Sequence, residues 1–213
     1  MDREIILQIH SILGVLVFTS GLLQILLKKG GNRHKIVGQI YLYGWFLLLI
    51  SGAYLGGALI TTIGIFGFYF ALTGSRIGRL KRQAMTIFEK SIFALGGLIA
   101  LSMLYYSVTL YLRDQNSFAT IFAVFGIIFL MTTIEDIAKY IFTKPFRKQM
   151  YGKLDWYFEH FKRMCISFIA AVTAFASIQN IFNHNTLNFL MPTAIGVILI
   201  QLATKSYRKK LLK

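Results

Sequence analysis

Cysteine and acidic residues are scarce in this 213-residue chain. The single cysteine, Cys165, excludes a disulfide framework and a cysteine-based zinc cluster. Only 8 residues are Asp or Glu, against 23 Lys and Arg, and charged residues make up just 15% of the chain. Apolar residues make up 56%, and the mean hydropathy is +0.62. This composition excludes a disordered basic protein and a soluble nucleic-acid binder, because both need far more polar surface.

Seven apolar stretches are long enough to cross a bilayer, which takes about 20 residues per helix. The second and third stretches must be separated by a turn, because residues 36–75 contain no charged side chain and are too long for one span. The paired Gly56-Gly57 is the best turn signal there. The sequence therefore predicts one all-α domain, a polytopic transmembrane bundle whose helices cover roughly residues 4–27, 36–56, 58–75, 91–112, 117–138, 162–182 and 187–204.

Lysine and arginine are concentrated in alternate connections of this predicted bundle. Of the 23, only Arg3 and Arg113 lie outside the first, third and fifth connections and the C-terminal tail. By the positive-inside rule, this asymmetry predicts a protein of the inner (plasma) membrane with the N-terminus outside and the C-terminus in the cytoplasm. The expected partners are the lipid bilayer, with anionic lipids at the cytoplasmic face, and no nucleic acid.

Small residues line one face of the third segment. Gly64, Gly67, Ala71, Gly74 and Gly78 recur at steps of three or four, which is the spacing of one helix face. Such a face lets a neighbouring helix approach closely in lipid, where packing rather than hydrophobicity holds helices together. We therefore predict that these five residues pack against other helices, and a substrate groove along the same face is the alternative.

Ionisable residues inside a membrane bundle are candidates for function, because they are costly to bury in lipid. His34, Asp136 and His160 all lie at the cytoplasmic ends of their segments. We predict that these three side chains meet, with an arginine, Arg76 or Arg163, close by. Two imidazoles and a carboxylate could hold a metal ion such as zinc. A hydrogen-bonded network is favoured over the metal, because only three potential ligands are visible.

Histidines also suggest a haem, since a b-type haem can be held by two axial imidazoles. His34 and His160 share the cytoplasmic side, whereas His10 and His184 share the outer side. His10 is the histidine that lies clearly inside an apolar segment, and His184 falls in a turn. We therefore predict His10, His34 and His160 as candidate ligands of haem b or a metal ion.

Four segments carry a resemblance to a known family. They are residues 9–14 (IHSILG), 33–41 (RHKIVGQIY), 155–164 (DWYFEHFKRM) and 170–175 (AAVTAF). They resemble an uncharacterised family of bacterial multi-pass membrane proteins, numbered 2306 among the domains of unknown function, in its Bacteroidota-like branch. The resemblance supports a role for His10, His34 and His160 but implies no activity. Some relatives have a further histidine near the start of the fourth helix, which this chain lacks.

Three classes of function follow from these features. The first, which we expect, is a non-enzymatic accessory or assembly subunit of a membrane complex, suggested by short connections and glycine-lined faces. The second is a membrane redox protein that holds haem b or a metal through its histidines. The third is a membrane hydrolase or a transporter of a small molecule or lipid. A membrane-protein partner is expected for the first class, and a visible absorption spectrum tests the second.

Overall fold

The computed structural model describes residues 2–142 and 151–211, and within these ranges all regular secondary structure is helical. All seven long helices are long and apolar enough to cross a membrane, as a multi-pass membrane protein requires. A π-helical segment, Ile137–Ile141, continues the fifth helix, and a short 3-10 turn, Gly152–Leu154, precedes the sixth. The helices are α1 (Arg3–Leu26), α2 (Asn32–Leu55), α3 (Ala58–Leu80), α4 (Ile87–Tyr111), α5 (Asn116–Asp136), α6 (Asp155–Ile178) and α7 (Asn185–Leu211).

Several helices extend beyond the predicted apolar segments. Helix α3 continues to Leu80, α6 begins already at Asp155 and α7 continues to Leu211, while α6 ends at Ile178, earlier than expected. The extensions are rich in charged residues, because backbone hydrogen bonding can continue where the apolar pattern stops. The predicted turn between α2 and α3 is confirmed, since these helices are separated only by Gly56 and Gly57.

Helix α1 packs on α2, α2 on α3, α4 on α5 and α6 on α7, and α3 lies between α2 and α6 at the centre of the bundle. One end of the bundle contains the α1–α2 turn, the last turns of α3, α5 and α7 and the first turns of α4 and α6. We call it the basic end, because most lysines and arginines lie there. Four cations counted in the sequence, Lys144, Arg147, Lys148 and Lys213, lie outside the described residues.

An aromatic layer between α3 and α5 forms the central core. The Phe66 ring centroid lies 5.3 Å from that of Phe125 and 5.5 Å from that of Phe129. Tyr69 packs on Phe129 with a centroid separation of 4.7 Å. Each such pair stabilises the packing by about 0.5–1.5 kcal/mol beyond its burial. The layer sets the rotation of α3, and this rotation directs the Tyr69 hydroxyl towards the end of α5.

The small-residue stripe of α3 contacts two different helices. Gly64 and Gly67 face side chains of α2, whereas Gly74 and Gly78 face side chains of α6. Ala71, between these pairs, is fully buried. The stripe is therefore covered by protein along its length, which favours the packing role over a groove.

Candidate functional site

Two histidines from different helices lie side by side at the basic end. His34 belongs to the first turn of α2 and His160 to the second turn of α6. Their ring centroids are 6.3 Å apart, and the ring planes are inclined by 80°. More than half of the chain separates these two residues in sequence. Their positions at the same depth in the bundle predicted that they lie close together, as they do here.

His160 is held in one tautomer by α3. Its Nδ1 atom lies 2.8 Å from the carbonyl oxygen of Gly74. Because a carbonyl oxygen can only accept, Nδ1 carries the proton, and the lone pair of the neutral ring is on Nε2. The ring also lies against Gly78, where an added Cβ would approach Nδ1 to 2.6 Å. The two glycines therefore admit the imidazole into the α3–α6 interface and leave Nε2 as its free ligand atom.

The His34 ring has a different environment. Its Nδ1 atom is buried and has no hydrogen-bond partner. The ammonium group of Lys29, in the α1–α2 turn, interacts electrostatically with both His34 and His160. The histidine pair is thus a polar site with an unsatisfied group. Nδ1 of His34 lacks a hydrogen-bond partner, and the positive charge of Lys29 acts on both rings.

Asp136 does not join the histidines. It is fully buried, pairs with Arg163 of α6 and accepts a hydrogen bond of 2.8 Å from the Tyr69 hydroxyl. Arg163 also donates to the Thr73 hydroxyl at 3.0 Å. A guanidinium is a permanent cation with several donors, so it compensates a buried carboxylate better than a neutral imidazole does.

The predicted metal site formed by His34, Asp136 and His160 is therefore wrong. Within the described residues, no group of three His, Cys, Asp or Glu side chains is arranged to hold a metal ion. The expectation of a nearby arginine is met by Arg163, which forms an ion pair with the Asp136 carboxylate. Arg76 instead pairs with Glu89 at the start of α4.

His10 lies far from the histidine pair. Its Nδ1 atom is 2.8 Å from the Ser51 hydroxyl, which itself donates to the Leu47 carbonyl at 2.9 Å. Ser51 is seventeen residues beyond His34 on α2, a distance of about 25 Å along the helix axis. The three predicted cofactor ligands therefore cannot share one cofactor. His184 is exposed in the turn between α6 and α7.

Sequence reasoning missed several polar partners. Tyr69 was not singled out, although it precedes Thr73 by four residues on the same face of α3. The buried hydrogen bond of 2.6 Å between Tyr41 and Ser167, which joins α2 to α6, was also missed. Tyr69 and Thr73 place two hydroxyl groups four residues apart on one helix, close to an ionisable residue. This spacing is the signal that could have indicated Tyr69.

The site thus contains two units with different chemical capacities. Asp136 and Arg163 neutralise each other and tie α5 to α6. His34 and His160 form a pair of imidazoles with a free ring nitrogen on His160. No family model, curated protein or solved structure matches this chain, so the resemblance of its segments to the family numbered 2306 stays a prediction.

Proposed function

We propose that this chain is a membrane-embedded redox protein in which His34 and His160 would hold a b-type haem. The observation that carries the proposal is the separation of 6.3 Å between their ring centroids. Two imidazoles from different helices at this separation would hold a b-type haem, which is bound by two such ligands.

The tautomer of His160 supports this proposal. A metal-binding histidine usually donates its other ring N–H to a carbonyl or carboxylate, which orients the ring and raises the basicity of the ligating nitrogen. The Gly74 carbonyl accepts this bond from Nδ1 of His160. Gly74 and Gly78 are therefore positioning residues, since they admit and orient the imidazole without touching the cofactor.

The number of ligands favours haem over zinc. Two imidazoles would be enough to hold a haem, whereas a zinc site takes three or four protein ligands. In the part of the chain that the structure describes, the histidine pair has no third His, Cys, Asp or Glu arranged to complete such a set. The haem would supply one-electron chemistry, while His34 and His160 would hold it and the Gly74 carbonyl would orient the His160 ring.

The proposal includes a location. The positive-inside rule assigns the basic end to the cytoplasm, so the haem would lie near the cytoplasmic face of the inner membrane. His10 lies in the half of α1 that is farther from the basic end. It would therefore lie near the outer face and is not a ligand of this haem.

An absorption spectrum tests the proposal. The protein is produced with a haem precursor, purified in mild detergent and compared with His34→Gln, His160→Gln and His184→Gln. We expect a Soret band in the parent, its loss or strong reduction in the first two variants, and no change in His184→Gln, whose side chain is exposed. A parent without a Soret band would overturn the proposal, as would a band that depends on His10 but not on His34 and His160.

A further inference from the structure

The end of α1 and the start of α2 enclose polar groups that lack partners. Gln24 is only 8% exposed, and its Nε2 atom has no hydrogen-bond partner. Its Oε1 atom lies 3.3 Å from the position that a Cβ would take at Gly38. Gly38 follows His34 by one helical turn, and the buried Nδ1 atom of His34 also lacks a partner. Two unsatisfied polar side chains therefore occupy adjoining turns of one interface.

Lys29 adds an uncompensated positive charge to this place. Its Nζ atom donates to the carbonyl oxygens of Gln24 and Ile25, at 2.6 and 2.8 Å. Burial lowers the pKa of Lys29, since the ammonium is partly withdrawn from water. Carbonyl oxygens at the end of a helix offset such a charge only partly, because they carry partial negative charges.

The ion pairs at the basic end involve other cations. Among the described residues, those pairs engage Arg76, Lys139, Lys162 and Arg163, and none engages Lys29. Among the described residues, the charged or titratable groups that act on Lys29, His34 and His160 are Lys29, His160 and the Cys165 thiol, and none of them is a carboxylate. A half-buried cation that has no acidic partner in the described part of the chain, next to the unsatisfied Gln24 amide, is suited to an anion from outside the chain.

We propose that Gln24 and Lys29, with His34 beside them, bind an oxyanion of the phosphate class, carried by the headgroup of an anionic lipid or present as free phosphate. The Gln24 amide would donate from Nε2 and Lys29 from its ammonium, while the phosphate oxygens accept. The place is a helix–turn–helix junction at the end of the apolar spans, which is the depth of lipid headgroups. His34 is shared with the proposed haem site, but the donors to the oxyanion are Gln24 and Lys29, which are not haem ligands, so the two proposals fail or hold separately.

A binding experiment distinguishes the two sources of the oxyanion. Full-length protein is reconstituted in nanodiscs of phosphatidylcholine, and its thermal midpoint is measured as phosphatidylglycerol replaces the neutral lipid. A second series adds inorganic phosphate to the phosphatidylcholine sample. Stabilisation by phosphatidylglycerol alone identifies a lipid headgroup, and stabilisation by inorganic phosphate identifies a site that also takes the free anion. The absence of both effects overturns the inference.

Matched variants separate a specific site from general surface charge. Lys29→Gln and Gln24→Glu are expected to weaken binding about tenfold or more, since each removes a donor to a charged group. Lys28→Gln removes the same charge from the neighbouring exposed side chain and should change binding less than about twofold. Gln24→Leu keeps the site neutral and reports on folding if the acidic variant is unstable. Equal losses in Lys28→Gln and Lys29→Gln would overturn the inference in favour of diffuse attraction.

Discussion

The buried ion pair of Asp136 and Arg163 shows most clearly how single residues determine the polar contacts inside this bundle. Both side chains are almost completely buried, and Tyr69 and Thr73 supply further hydrogen bonds to them. Removing two charges from water is costly, and the cost is offset only when the partner is present and the remaining donors and acceptors are satisfied. The ion pair therefore adds less to stability than would be lost if either charge were buried without its partner.

Replacing Asp136 with Asn should destabilise the protein strongly. The amide can still accept from Tyr69 but leaves the buried Arg163 with only the more distant carboxylate of Glu159, whose Oε2 lies 3.8 Å from Nε, at a cost of about 3–5 kcal/mol. The midpoint of thermal unfolding can be followed by labelling of Cys165, the single thiol of the chain. Asp114→Asn serves as the control, because Asp114 is exposed. Equal midpoints for the two variants would show that the buried pair is dispensable.

At the scale of the element, α3 is the helix on which the others are assembled. One of its faces meets α5 through aromatic rings, and its small-residue stripe meets α2 and α6. Helices in lipid gain little from burying apolar surface against each other, so close approach and van der Waals contact hold them together. A branched side chain on the stripe would therefore separate the helices, and next to α6 it would also break the hydrogen bonds that His160 and Arg163 make to α3.

Gly67→Leu and Gly74→Leu should each disrupt the bundle far more than Leu98→Ala. An added Cβ at Gly67 would overlap the Trp45 indole, and one at Gly74 would come within 2.9 Å of the Arg163 Cβ. Leu98 is 65% exposed, so its truncation removes little packing. Monodispersity in size-exclusion chromatography and the thermal midpoint are the measurements.

Gly14→Leu provides the matched control for the same chemical change. An added Cβ at Gly14 meets nothing within 4 Å, so this variant should behave like the parent. If Gly14→Leu is as damaging as Gly67→Leu, the introduced leucine itself is the cause. If both Gly67→Leu and Gly74→Leu are harmless, the stripe does not pack as described.

Helix α4 begins with a capping box that also reaches α3. Glu89 accepts a hydrogen bond of 2.8 Å from the Thr86 backbone and pairs with Arg76. Glu89→Gln should lower stability by about 1–3 kcal/mol, because it removes the charge from both interactions. Glu4→Gln is the matched control, since Glu4 also lies in the first turn of its helix but is exposed. A thermal shift no larger than that of Glu4→Gln would contradict the assignment.

At the scale of the whole molecule, charge predicts orientation. All lysines and arginines of the described residues except Arg3 and Arg113 lie at one end of the bundle, and the positive-inside rule predicts that this end faces the cytoplasm. A reporter fused to the C-terminus should therefore be active in its cytoplasmic form. A C-terminal reporter that is active only in the periplasm would show the opposite orientation.

The role as accessory subunit that the sequence suggested also belongs to this scale and stays a prediction. It expects a partner protein to remain bound when the chain is purified in mild detergent. Native mass measurement would detect that partner, and a lone monomer would count against the role. The haem proposal is independent of this outcome, because its ligands all come from one chain.

Local pattern alone determined the number and class of the helices. The length of each apolar stretch and the turn at Gly56-Gly57 depend on residues close together in sequence. Both features can therefore be read from the sequence without knowing which helices pack together. The small-residue stripe of α3 was visible for the same reason, since its spacing is a property of one helix. The depth of His34 and His160 followed from counting residues along their helices.

Tertiary structure alone decided which polar side chains are partners. Asp136 had imidazoles and guanidinium groups at similar depth, and the rotation of α5 and α6 around their axes selected Arg163. That rotation is set by the Phe66–Phe129 layer and by the glycines of α3, which come from distant parts of the chain. Periodicity reports the face of a helix that is buried, whereas the neighbour that the face meets depends on packing among all seven helices.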